Sequence, residues 1–220
     1  MQTPMVNSYF EKRYNFFKWR HDSSFVNKTV LALIMACITG ISAQIIIPLP
    51  WTPVPVTGQT FAVLMAGIIL GRYWGGISQA LYVVIGLIGV PWFAGMSGGF
   101  DAILCASGGY LIGFIIMSLF LGHFTDKYIR ARSFTSMLGL MFIANFIMLY
   151  VPGVIGLSLW MTANGAQPTL WSLLAMGVLP FVIGDMMKIG GAAALTKAIT
   201  PKEAFGEEVD VKEAANWKVF

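Results

Sequence analysis

The sequence predicts an all-α integral membrane protein with six transmembrane helices and both termini in the cytoplasm. Three observations predict it. Of 220 residues, 57% are hydrophobic and 11% charged, against about 25% charged in a soluble domain. Six apolar runs come near the length of about 20 residues that a helix needs to cross a bilayer. Lys and Arg outside those runs fall only in alternate connections. The hydrophobicity excludes a disordered chain, and the longest polar stretches, residues 1–28 and 197–220, are too short for a soluble core. The expected organisation is a cytoplasmic amino-terminal segment, residues 1–25, a membrane domain, 26–199, and a cytoplasmic tail, 200–220. The net charge of +4 sits in short flanks of hydrophobic spans, where it reports orientation; no nucleic-acid partner is expected.

The first run, residues 26–47, is retained as a helix and not read as a secretory signal. Before it, Glu11, Lys12, Arg13, Lys18, Arg20 and Asp22 interleave with Phe16, Phe17 and Trp19, unlike the order of such a signal. It carries Ala32, Ala36 and Gly40 at every fourth position, a strip that lets another helix approach closely, whether an internal neighbour or a second protein. Cys37 and Cys105, the two cysteines, form neither a disulfide framework nor a metal set and are read as packing residues. The connection from Pro48 has prolines at 48, 50, 53 and 55, which hold it extended and stiff, more a lid than a linker. It leads into run two, residues 57–70, which opens with Thr57, Gln59 and Thr60; for Gln59, helix capping and ligand contact are both open.

Run three, residues 73–90, follows after only Gly71 and Arg72, so the two form a tight helical hairpin. It contains Tyr82 and ends in Pro91-Trp-Phe-Ala-Gly-Met-Ser-Gly-Gly99. There Gly95 and its neighbours permit close backbone approach, and Trp92 and Phe93 offer ring faces to a pocket or an aromatic belt. Runs four, five and six are residues 102–121, 134–157 and 179–199. Residues 170–178, between Pro168 and Pro180, read as a separate interfacial helix or a re-entrant piece. The acidic end, with Glu203, Glu207, Glu208, Asp210 and Glu213, reads as a solvated tail or terminal helix.

Lys28 and Lys197 sit within three residues of a span end, so only Asp185 and Lys188 place charge in the interior of a predicted span. An ionisable side chain at mid-bilayer costs at least about 2.5 kcal/mol. Three positions apart, the two share a helix face and form an ion pair or clamp one ligand. No phosphate-binding Gly-x-x-x-x-Gly-Lys-Ser/Thr, no His-x-x-x-His and no nucleophile motif is present. ATP hydrolysis therefore requires a partner, no metal or cofactor is expected, and the chain is not read as an enzyme. A small-solute binding site is the expected function.

The run Pro48-Leu-Pro-Trp-Thr-Pro-Val-Pro-Val-Thr-Gly-Gln-Thr60, the following Ala-Val-Leu-Met-Ala-Gly67, the Pro91-Trp-Phe-Ala-Gly95 segment with Gly98-Gly99, and Pro180-Phe-Val-Ile-Gly-Asp-Met-Met-Lys188 resemble the BioY family over residues 26–199. These are the biotin-binding membrane subunits (S components) of energy-coupling factor transporters. The resemblance implies the six-helix S-component fold in the cell membrane, a pocket open to the outside beneath the first loop, and high-affinity biotin binding. It also implies partners that energise uptake: a transmembrane coupling protein and two cytoplasmic ATP-binding subunits. Asp185 and Lys188 match its polar ligand contacts, and Gln59, Tyr82, Trp92, Phe93 and Gly95 its pocket segments. Ala32, Ala36 and Gly40 lie on the strip that docks on the coupling protein. The glycine-arginine turn at Gly71-Arg72 lacks the proline common in the family. The alternative is a solitary proton-coupled vitamin carrier with Asp185 as proton site.

Overall fold

The computed structural model describes residues 4–215. A polar helix α1 (Pro4–Asp22) precedes the apolar α2 (Phe25–Ser42), which starts at Ser24, whose hydroxyl accepts the N–H of Asn27. α2 stops five residues short of the expected run, because Ile46–Ile47 instead forms strand β1, paired antiparallel with β2 (Val56–Thr57). Proline at 48 drives the residue before it to extended backbone. The proline-rich segment is thus the loop of a hairpin.

α3 (Gln59–Leu70) and α4 (Arg72–Leu87) form the expected tight pair, turning at Gly71 with φ 82°. A Cβ at Gly71 would also collide with the Asp126 carboxylate. α5 (Gly108–Lys127) lies six residues later than the run that forecast it. Residues 100–102 form a separate turn, and the helix continues past the apolar stretch into polar residues, where hydropathy gives no signal. Next come α6 (Phe134–Ile143), a wide π-helical segment (Ala144–Leu149) and α7 (Tyr150–Ala163), one continuous rod. The ring of Pro152 cannot coexist with a regular hydrogen bond to the carbonyl four residues back, and the wider turn just before it accommodates that loss. α8 (Leu170–Gly177) is a separate short helix, joined by a turn (Leu179–Phe181) to α9 (Val182–Ile199); α10 (Val211–Ala215) closes the described chain.

Among the described residues, four stretches suffice by length and composition to cross a membrane: Phe25–Ser42, Gly108–Lys127, Phe134–Ala163 and Leu170–Ile199. α3 and α4, at 12 and 16 residues, are shorter. In lipid, helices associate by close packing more than by hydrophobic force, and small residues provide it here. A Cβ at Gly75 would lie 2.8 Å from the Cα of Gly67, and one at Gly156 would lie 2.6 Å from the Cα of Gly109. These contacts lock α3 to α4 and α5 to α7.

The strip on α2 meets an internal neighbour. Ala32 and Ala36 have no exposed surface, Gly40 is covered by the Trp92 side chain, and Thr39 on the same face accepts a bond from Gln79 of α4. This corrects the expectation that Ala32, Ala36 and Gly40 dock a partner. The face of α2 left open is the opposite one, with Val30, Ile34 and Ile41.

One end of the bundle collects basic residues against helix C-termini, where unpaired carbonyls and the helix dipole favour cations. Tyr9 and Arg13 of α1 donate to the carbonyl of Ala198 near the end of α9. Arg20 donates to the carbonyl of Ile69 in α3 and pairs with Asp126 of α5 at 2.6 Å. The tail folds onto this end and is not simply solvated. Glu208 pairs with Arg132 at 2.6 Å, Phe205 packs between Phe17 and the Arg132 guanidinium, and Asp210 accepts the N–H groups of Ile129 and Arg130. Burial pushes the Glu208 carboxyl up, but hydrogen bonds from Arg132 and from the N–H groups of Phe205 and Gly206 outweigh it, leaving Glu208 below the usual carboxylate range.

Candidate functional site

At the opposite end lies a cavity of about 200 Å³. The proline hairpin contributes Val54, Pro55 and Thr57, and the first turn of α3 contributes Gln59 and Thr60. The glycine-rich loop supplies Phe93, Ala94 and Ser97, α5 supplies Tyr110 and Phe114, and α9 supplies Asp185 and Lys188. The hairpin lies over this cavity from the side of the bundle end, with its tip tied to α8 by the Thr52 hydroxyl donating to the carbonyl of Met176 at 2.7 Å.

Asp185 is 3% exposed and meets three donors. The Lys188 ammonium lies 2.9 Å from Oδ1, while Oδ2 accepts from Asn145 Nδ2 at 3.0 Å and from the Tyr150 hydroxyl at 2.6 Å. A buried carboxylate needs such partners. The π segment is what brings the last two together. In a regular α-helix, residues five apart point in different directions; here the N–H of Tyr150 bonds to the carbonyl of Asn145, one wide turn apart, and the side chains stack on one carboxylate oxygen. π turns inside helices are frequent at functional sites. Neither Asn145 nor Tyr150 was anticipated from sequence, since both sit in an apolar run; the buried acid on a facing helix, which demands donors, was the available signal.

Lys188 is differently placed. Its ammonium has three N–H donors, with Asp185 as one partner, and it lines the cavity with part of its surface open. Gln59 also reaches the cavity, holding its amide by donating to the Tyr82 hydroxyl at 2.6 Å and accepting from Thr57 at 2.9 Å. Tyr82 itself lies behind the wall, fully buried, its ring against those of Trp92 and Phe93. Trp92 is also behind: its indole N–H donates to the carbonyl of Tyr82 at 3.0 Å. Phe93 is the ring that reaches the cavity. Gly95 does not line it; at φ 70° it shapes the loop that carries Phe93 and Ala94. So Asp185, Lys188, Gln59 and Phe93 converge on the cavity, whereas Tyr82, Trp92 and Gly95 support its wall from behind.

A model described as the BioY family matches residues 12–204. The chain belongs to the BioY family. The match reaches beyond residues 26–199 at both ends, taking in the second half of α1 and the first turns of the tail, which the resemblance had left outside. Among curated BioY relatives, a probable biotin transporter from Methanothermobacter thermautotrophicus is 61% identical over 70% of this chain and 99% of its own length. A biotin transporter from Thermotoga maritima is 31% identical over 77% of this chain and 94% of its own. Among solved structures, the S-component for biotin from an ECF-type ABC transporter superposes with a TM-score of 0.65 at 29% identity, covering 78% of this chain and 89% of that one. The BioY family is a transport family and not an enzyme family, and its members, this chain included, are multi-pass membrane proteins.

Proposed function

We propose that this chain binds biotin with high affinity as the membrane subunit of an ATP-driven energy-coupling factor transporter and so serves biotin uptake. A transmembrane coupling protein and two cytoplasmic ATP-binding subunits would supply the energy. The observation that carries the reading is the Asp185/Lys188 pair, held by Asn145 and Tyr150 and presented to a cavity, in a chain whose relatives are named as biotin transporters.

Biotin has a ureido ring with two N–H donors and one carbonyl, a saturated sulfur ring and a carboxylate chain. The free N–H groups of Lys188 meet the ureido carbonyl, and the remaining lone pair on Asp185 Oδ1 accepts a ureido N–H. Gln59 adds a neutral polar contact, and the rings of Phe93 and Phe114 hold the apolar part. Tyr82 and Trp92 position Gln59 and Phe93 from behind. Each polar group left unpaired in such a pocket costs about 1–3 kcal/mol.

The membrane part has six crossings in this reading: α2, α3, α4, α5, the α6–α7 rod and α9. Arg13, Arg20, Arg72, Lys127, Arg132 and Lys197 all collect at the end where α1 meets the C-termini of α3, α5 and α9. By the positive-inside rule that end is cytoplasmic, both termini with it, and the cavity faces outside. A solitary proton-coupled carrier is not favoured, because the solved structure this chain resembles is the S-component for biotin of an ECF-type ABC transporter.

Isothermal titration of the purified protein with biotin tests the binding role. Saturable binding by the wild type, lost in Asp185→Ala and Lys188→Ala, is expected; an inert wild type or fully active variants would sink it. Co-purification from native membranes with mass spectrometry tests the partners.

A further inference from the structure

A second cavity, about 280 Å³, opens at the basic end between α1, the start of α2, the α3–α4 turn, the end of α5 and the tail. Four cationic side chains line it, Arg20, Lys28, Arg72 and Lys127, against two carboxylates, Asp126 and Glu207. Arg20 is paired with Asp126 and Lys127 with Glu207. Lys28 donates to the carbonyl of His21 at 2.7 Å, and the Arg72 guanidinium lies over the Tyr73 ring at 4.7 Å. Neither side chain has a carboxylate partner among the described residues, although the Arg72 backbone N–H donates to Asp126 Oδ2 at 2.9 Å. The lining therefore carries two positive charges beyond neutrality, with donors to spare on both: an ammonium presents three N–H groups and a guanidinium five.

The rim gives the second observation. Phe25, at the first turn of the apolar α2, is largely exposed and packs its ring on Trp74 at 5.3 Å, and Tyr73 beside it is also exposed. Aromatic residues at the end of an apolar helix mark the membrane–water interface. The cavity thus joins an anion-attracting interior to an apolar border. We propose that it binds a phosphate ester, with Lys28 and Arg72 as its direct donors, the chemistry that an anionic phospholipid headgroup presents at this level of the bilayer with its chains against Phe25 and Trp74. Basic pockets beside membrane helices recognise such headgroups.

The full chain in phosphatidylcholine nanodiscs, doped either with phosphatidylglycerol or with inorganic phosphate in the buffer, provides the test, read by native mass spectrometry and by the thermal unfolding midpoint. Phosphatidylglycerol should be retained on the wild type and raise the midpoint. Lys28→Gln with Arg72→Gln should weaken retention by about fivefold per charge removed, while Lys28→Arg with Arg72→Lys, which keeps both charges, should preserve it. Protection by inorganic phosphate that the double Gln variant loses supports the phosphate site and assigns its occupant to solution. Retention by the double Gln variant equal to the wild type, with a normal unfolding transition, overturns the proposal, as does a wild type indifferent to both anions.

Discussion

Two buried ion pairs sit at opposite ends of this molecule, and they differ in what their hydrogen-bonding capacity is used for. Arg132 donates Nε to the carbonyl of Thr125, Nη1 to the carbonyls of Pro201 and Glu203, and Nη2 to Glu208, which also accepts the N–H groups of Phe205 and Gly206. Every partner belongs to the chain, and neither side chain has more than 2% of its surface open. Asp185 is likewise enclosed, but Lys188 keeps 18% of its side chain open, towards a cavity. The first pair fastens the tail to the bundle. The second is half of an unfinished network, and an unfinished polar network inside a membrane protein is costly unless something completes it. Chemical type and burial alone do not separate the two; saturation does.

The comparison breaks most visibly if Lys188→Ala leaves ligand binding intact. Removing it should abolish measurable biotin binding in titration calorimetry, since it takes away the donors facing the cavity and leaves Asp185 without its counter-charge, a loss of about 3–5 kcal/mol for a broken buried pair. Glu208→Ala removes the equivalent partner at the other end and should cost a similar amount, about 3–5 kcal/mol, but in unfolding midpoint, with biotin affinity unchanged. A Glu208 variant with weakened binding and normal stability would invert the two roles. Tyr150→Phe should be milder. It deletes one hydrogen bond to a charged acceptor, about 1.5–3 kcal/mol, and should appear as weaker binding in a protein with near-normal secondary structure by circular dichroism.

The smallest effect concerns pH. Glu208 has its folded value held below the ordinary 4.5, so the unfolded chain takes up the proton more readily. Its stabilisation is present in full above that ordinary value and is lost as pH falls through the folded one. Detachment of the tail should therefore track acidification below about 4.5, seen as proteolysis after Phe205, and Glu208→Gln should remove that pH dependence.

Much of the cavity end is legible in the residues themselves. Asp185 and Lys188 stand out because charge in an apolar run has a high cost, and the prolines at 48–55 stand out because four of them exceed what a helix break requires. Asn145 and Tyr150 escape because their convergence depends on a π turn, and a 3.6-residue period places them on different faces. Tyr82 and Trp92 lie behind the cavity wall and not on it, since a pattern of residue types does not say which side of a wall a ring occupies. The strip on α2 shows the same limit from another direction: small residues at every fourth position announce a close neighbour and leave its identity open, and here the neighbour is α4 with Trp92. The basic end is the least legible part. α1 is polar and the tail short, and only their contacts, Arg20 with Asp126 and Arg132 with Glu208, reveal that they are built into the fold.

The hairpin over the cavity has a kinetic consequence. Its strands are two residues each, its prolines lack backbone donors, and its tip is fastened to α8 by the Thr52 hydroxyl. A neutral hydrogen bond contributes about 0.5–1.5 kcal/mol, so thermal motion alone opens such a fastening many times in the interval between captures of a scarce solute. On the proposed biotin site, arrival is then paced by diffusion, and how long the ligand stays is decided below the cover, by contacts such as those of Lys188. Thr52→Val, which removes the fastening, should therefore leave both entry and escape in stopped-flow records nearly as they were, whereas a cover that paced exchange would make both faster in this variant.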